Sequence, residues 1–173
     1  MDKLKNKKLW IMCGIPGLGK STWLQNHKDK FEGTVNIISR DNIRFSMLKE
    51  DEPYFGREND VWAKFVKDAI TSLKYNENTI LDATHLNPTS RKKILRALGN
   101  NLNNIEINAI YIKGPVELAI KRNKGREGRQ YVPESAIYNM NSSLVAPSLD
   151  EEYINKIITI DMENGNIIIQ ERG

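Results

Sequence analysis

The stretch from Ile11 to Trp23, "IMCGIPGLGKSTW", packs three glycines, a proline, a lysine and two hydroxyl side chains between apolar flanks. From Gly14 to Ser21 it reads G-x-x-x-x-G-K-S, the spacing of a phosphate-binding loop. It lies where such a loop works, between an apolar run and a helix expected to begin near Lys20. Glycines at 14, 17 and 19 let the backbone curl so that successive N–H groups face inward, and the helix N-terminus adds partial positive charge. The result is a cradle for a β-phosphate, with Lys20 reaching the β- and γ-phosphates and Ser21 ligating Mg²⁺ directly. The nucleotide-binding segment is therefore Gly14, Ile15, Pro16, Gly17, Leu18, Gly19, Lys20, Ser21 and Thr22, and the cofactors expected are ATP and Mg²⁺.

The flanks predict the fold that carries the loop. "KLWIMCG", Thr34 to Ser39, Thr79 to Thr84 and Ile105 to Ile112 are short apolar runs ended by turn or polar residues, as buried strands are. Helical patterns separate them. Between Glu58 and Tyr75, residues Val61, Trp62, Phe65, Val66, Ala69, Ile70 and Leu73 fall on one stripe at 3.6-residue spacing, which makes Trp62 and Phe65 core candidates. Pro88 opens another helix closed by Gly99, and Pro115 opens a third. Strands alternating with helices of this length imply crossover units, hence an α/β fold with a mostly parallel sheet covered on both faces. Near the C-terminus Asn164-Gly165 predicts a two-residue hairpin turn, with the last parallel strand (about 153–160) returning as an antiparallel edge strand, Asn166 to Gln170. The expected organisation is one domain over 1–173, with a lid at about 122–133 and the hairpin at about 153–170.

Composition narrows the surroundings. With 173 residues, 39% hydrophobic and 28% charged, the chain reads as a soluble globular protein. No apolar run reaches the roughly 18 residues of a membrane span, and the N-terminus lacks the apolar stretch of a secretory signal. A lone cysteine, Cys13, leaves no internal disulfide, predicts no disulfide-linked partner and fits a reducing cytoplasm. Two histidines and one cysteine make no zinc-type ligand set. The net charge of +4 is mild, but Lys113 to Arg129 holds six basic residues against two acidic ones. Such a run is either a solvated helix face or a contact for an anionic substrate.

Three further stretches bear on what happens to the nucleotide. "SRDNIR" places Asp41 and Arg44 at the C-terminal edge of the sheet, where open α/β sheets keep their ligands. A carboxylate there can accept the proton of an attacking hydroxyl and an arginine can grip an anionic acceptor; the same residues also fit an N-cap aspartate with a solvated arginine. "LDATHLNPTSR" brings Asp82 and Thr84 to the same edge, with loop capping as the plain alternative for Asp82. "KRNKGREGRQYVP" intersperses Arg122, Arg126 and Arg129 with glycines, the make-up of a lid that closes over phosphates.

In this order the motifs resemble the 5′-kinase domain of phage and bacterial polynucleotide kinases, over about Leu9 to Ile160. The resemblance implies that Asp41 is the general base on a 5′-hydroxyl of DNA or RNA and that Arg44 holds the acceptor's 3′-phosphate, with Asp82 supporting that site. Thr84 joins the acceptor-binding set. It further implies that Arg122 and Arg126 act on the donor phosphates, with Arg129 a further candidate, and that Lys20, Asp41 and Arg126 form the catalytic set. Asp41 and Asp82 would stand behind the metal at one water's remove. The best-known phage member of that family also carries a C-terminal phosphatase domain; nothing of that kind is in these residues, so 3′-end healing is not expected. Two rivals remain. A small-molecule kinase acting on a nucleoside, sugar or antibiotic would give Arg44 no phosphate to bind when its acceptor is neutral. An ATP-gated switch would commonly follow the third-strand Asp with a Glu, where this chain has Ala83. In the loop from Leu48 to Asp60, Tyr54 and Phe55 are read as structural, because Glu50, Asp51 and Glu52 argue against a surface that tracks a phosphate backbone.

Overall fold

The computed structural model describes residues 7–128 and 131–173. In chain order the elements are β1 (Lys8–Cys13), α1 (Lys20–His27), β2 (Val35–Ser39), α2 (Arg40–Met47), α3 (Glu58–Tyr75), β3 (Asn78–Asp82) and α4 (Pro88–Leu98). They continue with β4 (Glu106–Lys113), α5 (Val116–Lys124), α6 (Glu134–Ser143), β5 (Lys156–Asp161) and β6 (Ile167–Glu171). Successive side chains of a strand point to opposite faces. In β1 both sets are buried, Leu9, Ile11 and Cys13 on one side and Trp10 and Met12 on the other, so this strand must lie centrally under helices on both faces. It does. The sheet order is β2-β3-β1-β4-β5-β6, parallel throughout except for the antiparallel edge strand β6.

The two faces are two cores. Leu9 and Ile11 pack with Phe65 and Ala69 of α3 and Ile94 and Leu98 of α4, while Trp10 and Met12 pack with Leu24 of α1, Ala119 of α5 and Ile137 of α6. The predicted stripe on α3 is the buried one: Val61, Phe65, Ala69 and Leu73 lie inside, with Trp62, Val66 and Ile70 packed at the margin. Helix α4 starts on a capping box, in which the Asn87 side chain accepts from Ser90 N at 3.0 Å and Ser90 Oγ accepts from Asn87 N at 3.1 Å. Because five strands run the same way, the ends of β1, β2 and β3 meet at one edge, and Gly14 N donates to Thr84 O (2.9 Å) to join the loop after β1 to the loop after β3. Among the described residues no helix is long and apolar enough to cross a membrane. Cys13 is fully buried, and burial pushes its thiol up to about 12, consistent with an apolar filler.

Some local expectations change. Pro115 is the N-cap of α5, one residue outside the helix it was expected to open. The hairpin closes through four residues rather than two: Asp161 N donates to Asn166 O and Gly165 N donates back to Asp161 O, so the connection is Met162 to Gly165. Only Gly165 takes a positive φ (79°), which removes the reason for a tighter two-residue turn.

The largest fully buried side chain is charged. Arg91 of α4 forks onto Glu151 (Nε–Oε1 and Nη2–Oε2, both 2.9 Å) and donates to His85 O (2.7 Å) and Val145 O (3.0 Å), binding the loop after β3 to the segment after α6. Burial pushes the Glu151 carboxyl up, but hydrogen bonds from Arg91 and Tyr153 and the arginine charge bring it below its ordinary range. A depressed carboxylate stabilises above its unfolded pKa, about 4.3 for Glu, and loses that contribution as pH falls through the folded value. Arg91→Ala takes the counter-charge from the Glu151 carboxylate and the donor from two carbonyls, so urea unfolding should report a loss of about 3–5 kcal/mol at pH 7. The deficit should narrow as the pH is lowered toward 4, where protonation relieves Glu151.

Candidate active site

At Gly14 and Gly17 the loop after β1 can carry no side chain. Their φ values are +147° and +92°, and a Cβ would lie 2.7 Å from Ile112 O at Gly14 and 2.6 Å from Ala119 O at Gly17. Backbone therefore packs on backbone, and the loop curls tightly enough to aim the start of α1 into its own concavity. That helix begins at Lys20 with Gly19 as N-cap, without a capping side chain and without an acid in its first turn. Its first N–H groups and the positive end of its dipole are left to an anion from outside the chain. Ile15 and Leu18 point away, buried in the core, so of the expected nucleotide-binding residues these two contribute backbone only.

Lys20 is folded into this loop. Its Nζ donates to Gly14 O and Ile15 O, both at 2.9 Å, which uses two of three ammonium donors and leaves the third for a ligand. Burial lowers its pKa, opposed chiefly by the charge of Asp82 and then Asp41. Ser21 Oγ donates to Asp82 Oδ2 at 2.7 Å. Burial raises the Asp82 pKa against the Ser21 hydrogen bond and the Lys20 charge. Among the described residues no cluster of three or more His, Cys, Asp or Glu forms a metal cage. A hydroxyl and one carboxylate beside a phosphate cradle instead suit an ion that keeps water and phosphate oxygens as ligands, as Mg²⁺ does.

These groups form one wall of a cavity of about 210 Å³ that Pro16, Thr22, Thr84, Arg126 and Met140 also line. The facing wall comes from α2, the connection after it and the start of α3. Ser39, the residue before α2, is its cap: its hydroxyl accepts from Asn42 N at 3.2 Å. Asp41 is therefore free of the capping role that its sequence position allowed, and its side chain is 48% exposed on the cavity. Arg44 is not the solvated arginine of the alternative reading. It is 5% exposed and donates to Asp41 Oδ1, to Glu58 Oε1 (2.8 Å) and to Tyr54 OH (3.1 Å), with its guanidinium 4.5 Å from the Tyr54 ring centroid. Arg40 Nη2 donates to the other Glu58 oxygen at 3.1 Å. Burial raises the Glu58 carboxyl, but the two arginines outweigh it and hold it low. Two guanidinium groups thus face two carboxylates, and the cluster is electrically balanced.

Arg122, in the last turn of α5, donates to Leu18 O at 3.0 Å and lines a neighbouring groove with Gly19, Trp23, His27 and Met162, which Arg126 also lines. Arg126 lines the main cavity and its charge acts on Lys20. Arg129 lies outside the described residues. Sequence reasoning passed over Arg40, Tyr54, Phe55 and Glu58, all of which line the cavity. For Arg40 the signal was its place beside Asp41; Glu58 carried only the look of an acidic first turn. Tyr54 and Phe55 were set aside because of their acidic neighbours, yet Glu52 spends its charge on Arg57 in a fork at 2.7 and 2.9 Å.

Known proteins share this fold. A chain of the Pnkp1/Rnl/Hen1 complex is similar at 25% identity with a TM-score of 0.56, over 68% of this chain and 39% of that one. In a second structure, of the Pnkp1/Rnl/Hen1 RNA repair complex, the match is 23% identical with a TM-score of 0.64, over 96% of this chain and 49% of that one. The chain thus spans less than half the length of these relatives. A gluconokinase from Sinorhizobium meliloti 1021 is similar in fold, at 14% identity and a TM-score of 0.57, over 91% of this chain and 83% of that one. The profile of the AAA domain family matches residues 9–147. The chain belongs to that AAA domain family, and its α/β fold is that of a P-loop kinase.

Proposed function

We propose that this chain is an ATP-dependent phosphotransferase acting on the 5′-hydroxyl of DNA or RNA ends. One observation carries the reading: a half-exposed carboxylate, Asp41, released from helix capping, shares a cavity with the phosphate loop and stands beside Arg44. In this reading the curled loop, the uncapped start of α1 and Lys20 hold the β- and γ-phosphates, and Arg122 and Arg126 add charge from the lid side. Mg²⁺, when bound beside Ser21 and Asp82, would neutralise charge on those phosphates. Asp41 takes the proton of the acceptor hydroxyl, Arg44 presents its guanidinium to a phosphate of the acceptor, and Asp82 and Thr84 border that side. The likeness to a chain of the Pnkp1/Rnl/Hen1 complex at 25% identity, a complex described in a second structure as one of RNA repair, supports the nucleic-acid acceptor.

A second reading has an observation of its own. Because Arg44 is already balanced by Asp41 and Glu58, an incoming phosphate gains less from it than from an unpaired arginine, which favours a neutral small-molecule acceptor.

Lys20→Ala should cut phosphate transfer by about a hundredfold or more while far-ultraviolet circular dichroism stays that of the parent, since the lysine acts on charge at the phosphates. Near-parental turnover in the folded variant would remove the phosphate loop from the chemistry.

The acceptor is identified by transfer from γ-labelled ATP to a panel of 5′-hydroxyl DNA, 5′-hydroxyl RNA, nucleoside 3′-monophosphates, free nucleosides and sugars. Asp41→Asn should lower turnover by about a hundred- to ten-thousandfold on the preferred acceptor. Arg44→Ala should lower kcat/KM for every acceptor through its contact with Asp41, and further for acceptors bearing the phosphate. Equal losses with and without that phosphate, or preference for a sugar or free nucleoside, would transfer the assignment to a small-molecule kinase.

A further inference from the structure

One oxygen of the half-exposed Asp41 carboxylate is held by a residue that lies outside every motif in the chain. Tyr54, in the connection between α2 and α3, donates from its hydroxyl to Asp41 Oδ1 at 2.7 Å. The same hydroxyl accepts from Arg44 Nη1 at 3.1 Å, and Arg44 donates to the same Asp41 oxygen. The three groups close a triangle. Glu58 fixes its arginine corner by accepting from Arg44 Nε. The tyrosine corner is fixed by packing, since its ring stands edge-on to Phe55 with centroids 4.6 Å apart and to Phe45 at 6.1 Å. The connection that carries it is itself pinned, by the Arg57–Glu52 fork and by Gly56 N donating to Pro53 O at 2.9 Å.

We propose that Tyr54 is a positioning residue for Asp41, occupying Oδ1 together with Arg44 so that Oδ2 is the oxygen that accepts the acceptor's hydroxyl proton. This rests on the reading of Asp41 as the general base. A carboxylate half exposed on a cavity is otherwise free to rotate about two side-chain torsions. A base contributes only in proportion to the time it spends within hydrogen-bond reach of the proton it takes. Two donors converging on one oxygen remove that freedom without consuming the second oxygen. The phenol suits the task because burial, and next the neighbouring Asp41 charge, keep it protonated well beyond the ordinary tyrosine range, so it remains a donor wherever Asp41 is ionised. Arg44 gains a function that its charge balance does not weaken: it orients the base whether or not the acceptor carries a phosphate.

Transfer from γ-labelled ATP to the preferred acceptor, followed as kcat and KM separately, tests the role in the full chain. Tyr54→Phe keeps the ring packing and removes the hydroxyl; it should lower kcat about tenfold and leave both KM values within about twofold. Tyr54→His, which keeps a ring and a donor, should recover part of the loss. The decisive comparison is Asp41→Asn against Asp41→Asn with Tyr54→Phe. If Tyr54 acts only through Asp41, the second change adds nothing once the base is gone, so the double variant should turn over at the rate of Asp41→Asn alone. All assays are run below the thermal midpoint of every variant. Additive losses in the double variant, or full activity in Tyr54→Phe, would overturn the positioning role while leaving Asp41 as the base. Full activity in Asp41→Asn would overturn the base itself, and the positioning role with it.

Discussion

Main chain packs directly on main chain beneath the phosphate loop, where a Cβ at Gly14 would meet the carbonyl of Ile112 and one at Gly17 that of Ala119. Much of the site follows from that contact. A side chain at either position would lift the loop off β4 and α5, and the loop would lose the curvature that brings the carbonyls of Gly14 and Ile15 within reach of Lys20. The lysine would then keep its burial but lose its acceptors, an arrangement that costs far more than an exposed ammonium. Ile15 and Leu18, buried in the core on either side of Pro16, hold the same curve from beneath. The donor half of the cavity is thus a property of backbone packing, with few side chains available to tune it.

The acceptor half is built on the opposite principle. Arg40, Asp41, Arg44, Tyr54 and Glu58 come from two helices and the connection between them, and side-chain hydrogen bonds, charge and ring contacts unite them. Burying Arg44 without Glu58 would leave an uncompensated charge, so the pair stands or falls together. The balance of two arginines against two carboxylates makes this wall neutral, while the wall opposite carries Lys20 and Arg126 beside the single carboxylate Asp82. The cavity therefore directs negative charge toward the phosphate loop and leaves the hydroxyl side to hydrogen bonding and shape. That division suits a reaction in which one partner is a polyphosphate and the other an alcohol.

This difference also governs what could be read in advance. The strands were legible because burial on both faces writes near-continuous apolar runs, and the α3 helix because its stripe repeats at 3.6 residues. The last parallel strand starts at Lys156 and not near 153, because Tyr153 and Ile154 are taken up in a turn in which Ile154 N donates to Glu151 O. The turn residues are apolar enough to pass for strand, and only the Arg91–Glu151 fork, a contact between residues 60 apart, accounts for their detour. The phosphate loop was legible because its requirements fall on consecutive residues. Asp41 and Arg44 were found at the right edge, but their relation to Glu58 and Tyr54 was not, since no local pattern links positions 14 and 10 residues from Arg44.

Capping decided the most consequential ambiguity. "SRDNIR" offers two polar side chains at the start of a helix, and one must satisfy the N–H groups of the first turn. Had Asp41 done so, its carboxylate would have been drawn back along the helix toward its own backbone and away from the cavity. Ser39 does it instead, one residue before the helix and at the end of β2, where its register partner is Asp82. A serine hydroxyl suffices for the cap, and the charged group is left for the cavity. The substitution of a neutral cap for a charged one is a small local choice, yet it places an ionised oxygen beside Arg44 and across from Lys20. Without it the two walls would set four cations, Lys20, Arg40, Arg44 and Arg126, against the paired carboxylates Glu58 and Asp82, and the cavity would attract phosphate without offering an exposed carboxylate to receive a proton.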